Sequence, residues 1–293
     1  MKAAKTLEDR LLDVSVYIIV IIFVISIIYP FWTLLVDSFS SARASEQLGI
    51  KLIPPEFSLE AYGKVFRQEI VGKAYINTLF RTGIGTVLTV FITFCAAFSL
   101  SKRELPFRKS ITLVIVLTMF FGGGLIPEYI IVKNLGLINN RWVLVLFFLV
   151  SPFALIVTRN FIYSIPDELE ESALIDGANE FTILFRLIAP LSKPIIATIA
   201  LWTAVMHWNE WFRAMIFIRD TDKTVLQLLL RRILLEDQML AVYDDLMIDE
   251  ATETTETSVS AATLFVSIGP IILVYPFVQK YFIKGVMVGS IKG

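Results

Sequence analysis

The run VSVYIIVIIFVISIIYPFWTLLV, residues 14–36, holds 23 residues and no charge. At 1.5 Å per residue a helix of that length crosses a hydrocarbon core of about 30 Å. Lys2, Lys5 and Arg10 precede it as the basic start of a secretory signal would. A signal's apolar region is only about 7–15 residues long, however, so the run reads as an uncleaved anchor. Five further uncharged stretches follow at 82–101, 110–127, 142–158, 194–209 and 259–278. Strands with unpaired edges cannot cross lipid, and no alternating pattern of about ten residues recurs, so a barrel is excluded. The expectation is an all-α integral membrane protein of six transmembrane helices.

Composition agrees. Hydrophobic residues make up 56% of the 293 and charged residues 18%, with a mean hydropathy of +0.72, whereas about a quarter of a soluble domain is charged. A net charge of -1 leaves no basic field to hold nucleic acid. With one cysteine, Cys95, and one histidine, His207, the chain cannot build a disulfide framework or a Cys/His metal cluster. Cys95, in mid-span among apolar neighbours, reads as packing.

Orientation rests on the density of basic residues near span ends. Segments 1–13, 102–109 and 280–293 carry ten Lys/Arg in 35 residues, against twelve in the 103 residues of 37–76, 128–141 and 210–258. Both termini are therefore expected in the cytoplasm. Residues 1–13 form a cytoplasmic N-terminal segment, and 14–293 a single transmembrane domain with outer loops 37–76 and 210–258, an inner loop 159–193 and a tail 280–293. Trp32, Trp142, Trp208 and Trp211 fall at the outer ends of their spans, where an aromatic belt would place them. In the last outer loop, Val225, Leu229 and Ile233 and also Leu226, Leu230 and Leu234 recur at four-residue spacing. They predict an amphipathic helix of about 18 residues that lies on the membrane or caps a cavity. The acidic, Thr-rich DDLMIDEATETTETS after it reads as a solvated tether.

The inner loop carries the sharpest pattern: SIPDELEESALIDGANEFTILFRLIAPLSKP, residues 164–194. Ser164 can cap a helix whose first turns hold Asp167, Glu168, Glu170 and Glu171, acids favoured at the positive end of the helix dipole. Gly177 is placed to stop it with a left-handed residue. Asn179 can cap a second helix, expected from Glu180 to Ile188 and ending before Pro190. Such a helix–turn–helix either packs on its own bundle or docks on a cytosolic partner.

Glu171-Ser172-Ala173, three residues, Gly177, nine residues, Leu187, one residue, Ala189-Pro190 resembles the EAA loop of ABC importer permeases. A serine and an alanine stand for the usual alanine and leucine, and Leu187 for isoleucine. The resemblance implies that the loop is a coupling helix between the fourth and fifth spans. It would seat on an ATP-binding subunit, with Glu171, Ala173, Gly177, Leu187 and Pro190 at the motif positions. NTLFRTGIGTVLTVFITFCAAFSLSKRELPFRK, residues 77–109, and WNEW, residues 208–211, resemble the permease core of maltose-type carbohydrate importers. GGGLIPEYIIVKNLGLINNRWVLVL, residues 122–146, is similar to the oligosaccharide and polysaccharide subgroup, which includes the bacterial alginate importer's permease. The terminal GSIKG, with Gly289, Ser290 and Lys292, resembles the family's tail at the ATPase interface; an ordinary basic tail is the other reading. The implied partners are a second permease subunit, giving a heterodimer, an ABC ATPase dimer that binds ATP and Mg, an extracytoplasmic solute-binding protein and a carbohydrate. The implied location is the bacterial inner membrane, with no cofactor in this chain. The chain itself lacks the phosphate cradle G-x-x-x-x-G-K-[ST], since neither Gly63-Lys64 nor Gly72-Lys73 has the upstream glycine or the following hydroxyl.

Candidate pathway groups cluster near the outer end of the fifth span: His207, Trp208, Asn209, Glu210 and Trp211. Ionisable groups there should face the bundle interior or water rather than lipid. Aromatic rings flanked by amide and carboxylate suit a sliding saccharide; an interfacial anchor is the alternative. Arg81, near the outer end of the second span, either snorkels to water or attracts acidic sugars. Gly122-Gly123-Gly124 with Pro127, and Gly269-Pro270, interrupt helices either as ordinary kinks or beside a transport site. Against an ATP-driven importer working by alternating access stands an ion-coupled secondary transporter of a polar solute. That class needs carboxylates deep in its spans, and the six stretches contain none. An intramembrane hydrolase ranks last, with no H-E-x-x-H and a lone histidine.

Overall fold

The computed structural model describes residues 7–45, 49, 51–235 and 258–273. Among these the chain is helical, and extended backbone pairs only at the isolated bridge Ser40↔Phe57. The tail residues Gly289, Ser290 and Lys292, residues 244–257 of the tether and residues 274–278 of the sixth run lie outside the described residues.

The chain divides into two compact units. In the first, Met1–Gln68 with Ile233–Ile268, α1 runs Leu7–Ser38. Every side chain from 14 to 32 is exposed, an apolar surface of the kind a lipid-facing helix presents. The segment after it folds back on the end of α1. Trp32 Nε1 donates to the Leu52 carbonyl at 3.0 Å, and Lys51 reaches Asp37 at 2.9 Å. The short helices α2, Ala42–Ser45, and α3, Glu60–Arg67, follow, and Ser38 Oγ shares a hydrogen bond with the Tyr62 hydroxyl at 2.9 Å. Burial pushes the Tyr62 phenol up from its ordinary pKa.

The second unit, Glu69–Arg232 with Gly269–Gly293, is organised around α4, Glu69–Ser101, a helix of 33 residues. It packs along α8, Pro152–Tyr163, and α12, Lys193–Asn209. Its buried residues include Ala74, Asn77, Thr78, Arg81, Gly85, Thr89, Thr93 and Ala97, mostly small or polar, with the larger Val71, Phe94, Phe98 and Leu100 toward its ends. Small residues let backbones approach closely, which matters for helices in lipid, where apolar burial alone does not drive association.

Two of the expected spans are not single straight helices. The third becomes α5, Arg108–Phe120, and α6, Leu125–Asn134, bent by 112°. The break falls on the glycine run, where Gly124 takes φ +81, a conformation that disfavours any side chain. The fourth splits into α7, Val143–Leu146, and α8. Ser151 accepts a bond from the Ala154 amide at 3.3 Å and Pro152 occupies the first turn, so the sequence restarts the helix there. The break frees the Phe148 carbonyl, which accepts from Thr89 Oγ1 of α4 at 2.8 Å. The sixth run is α15, Ser258–Leu273, within the described residues.

The inner loop differs from expectation at both ends. Ser164 does not cap the acidic helix: it ends α8 and donates to the Phe161 carbonyl at 2.7 Å, while α9, Asp167–Ile175, starts after Pro166 without a side-chain cap. The second helix does not stop before Pro190. It runs through α10, Glu180–Thr182, a π-turn, Ile183–Ile188, and α11, Ala189–Leu191, before bending by 82° into α12. A proline clashes with the carbonyl four residues before it in an α-helix, and the wider π-turn accommodates Pro190 without a stop.

The amphipathic segment is helical where it is described, and residues 236–240 of it lie outside the described residues. After α13, Phe212–Phe217, α14 spans Leu226–Leu235. Val225, Leu226, Leu228, Leu229, Leu230 and Ile233 are all buried, so the apolar positions of this stretch are covered by protein.

Candidate functional site

Two groups of residues singled out in the sequence come together, at opposite ends of α4. At the Ser101 end, α9 closes with two bonds. The Gly177 amide donates to the Leu174 carbonyl at 3.0 Å and the Ala178 amide to the Ala173 carbonyl at 2.9 Å, with Gly177 at φ +82. This is the Schellman arrangement, in which the residue beyond the cap must be left-handed. Ala173, Ala178 and Leu187 pack on the cluster of Phe94, Phe98, Ile162, Ile183, Leu184 and Ile188. Asn179 Oδ1 accepts from the Thr182 amide at 2.8 Å and starts the second arm. The base of the hairpin is thus packed, while its turn projects: Ile175 is 87% exposed, Phe181 75% and Leu174 49%. Glu171 and Pro190 are exposed, and Glu171 makes no ion pair among the described residues. Under the turn lies a cleft of about 240 Å³ lined by Lys102, Arg103, Tyr163, Glu170, Glu171 and Glu180 among others.

At the Glu69 end, α4 presents a polar row to the segment after α12. Lys73 pairs with Asp222 at 2.9 Å. Asn77 Nδ2 donates to the carbonyls of Asp222 and Thr224 at 2.9 and 2.8 Å. Thr78 Oγ1 accepts from the Leu226 amide at 2.9 Å, and Arg81 Nη1 donates to the Glu210 carbonyl at 2.8 Å. Arg81 does not snorkel: it is 1% exposed and lies 3.8 Å from the Glu210 carboxylate. Glu210 Oε1 accepts from the Arg213 amide, and the Arg213 guanidinium lies over the Phe147 and Phe148 rings. The loop is held further by Asn139, whose Oδ1 accepts from the amides of Arg219 and Asp220. Hydrogen bonds from Lys223 and then Asn139 hold the Asp220 carboxyl below its usual pKa.

His207 faces the interior, fully buried and edge-on to the Phe148 ring at 5.4 Å. Gly85 of α4 lies against it so closely that a Cβ there would meet Nε2 at 2.4 Å. Trp208 is buried and meets the Tyr75 ring edge-on at 6.2 Å. Trp211 lies under the Arg231 guanidinium at 3.6 Å, and Asn209 is exposed. The two rings are therefore held by protein contacts within this chain. Sequence reasoning missed Asn77, Gly85, Glu170 and Lys102; for the first two, the recurrence of small and polar residues along α4 was the available signal.

Gly85→Ala is expected to lower the melting stability of the detergent-purified protein by about 1–3 kcal/mol, since the added methyl enters a filled site. The double variant Gly85→Ala/His207→Ala should melt above the single one. Melting curves of the pair check this; strictly additive losses would refute the contact.

The sequence pattern of the family described as "Binding-protein-dependent transport system inner membrane component" matches residues 70–288. The chain is 37% identical to the polygalacturonan/rhamnogalacturonan transport system permease protein YtcP of Bacillus subtilis (strain 168), over 98% of this chain and all of that one. Among solved structures it superposes, with TM-score 0.88 and 32% identity, on a chain of a bacterial ABC transporter involved in the import of the acidic polysaccharide alginate. That match covers 96% of this chain and 100% of that chain. A second structure, the bacterial alginate ABC transporter in complex with alginate pentasaccharide-bound periplasmic protein, shares the fold at TM-score 0.62 and 17% identity, over 92% and 93% of the two chains.

Proposed function

The chain belongs to the binding-protein-dependent transport system inner membrane components, and from that premise we propose that it is the membrane subunit of an ATP-driven importer of acidic oligosaccharides. The acidic class is supported by the polygalacturonan/rhamnogalacturonan permease and the alginate importer. The finer organisation belongs to the same reading: six spans, both termini cytoplasmic, and a path shared with a second permease. A solute-binding protein delivers the sugar on one side, and an ATPase dimer on the other binds ATP and Mg. The tail residues Gly289, Ser290 and Lys292 are assigned to the ATPase interface by the same resemblance.

The observation that carries the proposal is the hairpin around Gly177. Its base is packed on α4 and α8, while Leu174, Ile175 and Phe181 project with the exposed Glu171 beside them. Exposed apolar side chains rimmed by charge fit a protein partner. An ATPase seated there would bias the bundle between inward- and outward-facing states. Moving such an equilibrium from 1:99 to 99:1 takes a differential of about 5.5 kcal/mol. Arg81, His207, Trp208, Asn209, Glu210 and Trp211 stay assigned to the substrate path, with the contacts of His207 to Gly85 and Trp208 to Tyr75 of α4 shaping the wall.

Purification in mild detergent is expected to bring down the chain with an ATPase and a second multi-span subunit, and the assembly should hydrolyse ATP with vanadate sensitivity. Uptake driven by an ion gradient through this chain alone would overturn the reading in favour of a secondary transporter.

A further inference from the structure

We propose that Lys102 is a positioning residue of the transport cycle, the joint that fixes the coupling hairpin to α4. The inference rests on the importer reading given above. Lys102 is the first residue beyond α4, and its ammonium lies 4.3 Å from the centre of the Phe98 ring. It pairs with Glu170 of α9 and, at 3.0 Å, with Glu180 of α10. The two carboxylates lie on either side of the Gly177 turn, so one charge joins three elements: α4, the arm before the turn and the arm after it. Among the described residues no other basic side chain pairs with both arms; Arg103 reaches only Asp167, at 3.0 Å.

The ammonium and the Glu170 carboxyl are 19% and 24% exposed on the wall of the cleft, so salt screens them less than a surface pair. A cation at that place also complements the negative end of α4, whose Leu100 carbonyl is held by Arg159 Nε at 3.0 Å. Without Lys102, no other charged side chain among the described residues joins α4 to both arms, and the hairpin is held on α4 only by the apolar packing of Ala173, Ala178, Ile183, Leu184, Leu187 and Ile188 around Phe94 and Phe98.

The other end of the same helix holds the 210–226 segment through Lys73, Asn77, Thr78 and Arg81. A straight helix of 33 residues is about 50 Å long and moves as a body. A displacement of the hairpin is therefore passed through Lys102 to α4, and through α4 to the segment bonded at its far end. Docking and transmission use different residues: Leu174, Ile175, Phe181 and Glu171 face outward, and Lys102 faces inward.

The test uses the complete importer in proteoliposomes, with binding protein loaded by whichever of oligogalacturonate or oligoalginate stimulates the wild-type complex. The readout is the ratio of stimulated to unstimulated ATP hydrolysis, alongside the amount of ATPase retained on purification. Lys102→Met should retain the ATPase and lose about tenfold of the stimulation, within the range of coupling between distant sites. Lys102→Arg, which can still span both carboxylates, should restore it. Glu170→Gln/Glu180→Gln should reproduce the loss with Lys102 intact, and it decides the matter if Lys102→Met fails to assemble. Wild-type stimulation in Lys102→Met, or in the double carboxylate variant, overturns the proposal. Absence of any ATPase from the wild-type purification would remove the importer reading itself, and this proposal with it.

Discussion

Gly177→Val, compared at equal membrane abundance, abolishes sugar uptake. The glycine sits at φ +82, where a β-branched side chain is strained by about 1–2 kcal/mol or more. Nothing lies within 4 Å of where its Cβ would be, so the defect comes from the backbone and not from a clash. Relieving the strain means opening the two bonds that close α9, which re-aims Leu174, Ile175 and Phe181. Insertion should be unaffected, because the hairpin lies outside the apolar stretches. Glu171→Lys, on exposed backbone that stays intact, separates the charge from the geometry. The helix-dipole effect alone is only about 0.3–1 kcal/mol, so a loss of uptake approaching that of Gly177→Val would mark direct contact with the ATPase. The measurement is uptake and ATPase retention for both variants. Normal uptake in both would make residues 159–193 a passive connector.

The second large effect is at Arg81. Arg81→Met should destabilise the purified protein by about 3 kcal/mol, because the Glu210 carboxylate, only 13% exposed, is left facing an apolar side chain. Glu210→Gln should cost a comparable amount by stranding the guanidinium, although the bond from Arg81 Nη1 to the backbone carbonyl survives it. The double variant should lose clearly less than the sum of the two, as residues sharing a network do. Thermal melts of the three variants read the coupling. Additive losses would show that the 3.8 Å approach contributes nothing.

Much of this architecture is written locally. An uncharged run is legible because each residue votes alone, and each of the six runs is helical over most of its described residues, with breaks at 121–124 and 147–151. Continuity is not legible in the same way. The break at Ser151 became tolerable only because Thr89, some sixty residues earlier, satisfies the Phe148 carbonyl. The glycine run at 122–124 was visible, but whether it kinks or turns a helix depends on what it packs against. The Gly177 turn and the Asn179 cap were readable because both are single-residue devices with local bonds. The Ser164 cap failed for a local reason too: Pro166 separates it from the first turn and the serine is taken up by the end of α8. Arg81 and Glu210 were each picked out, but their pairing across the bundle is a tertiary fact. Lys102 was counted for its charge in setting orientation, and only the fold shows its two carboxylates.

The π-turn Ile183–Ile188 gives this hairpin a length code. Such a turn carries an extra residue relative to the α-helix around it. Closing ordinary bonds over one residue fewer there leaves the flanking turns nearly in register, because the extra residue is what the wide turn absorbs. Deleting a residue from the α-helix on either side instead rotates everything beyond it by about 100°. The buried Ile183, Leu184 and Ile188 could not all keep their places after that turn. In a chimera, a hairpin borrowed from another permease must therefore match the count of residues between Asn179 and Ser192 together with the π-turn before any match of side chains matters. A graft one residue short that kept the π-turn would present its docking surface from the wrong side of the helix.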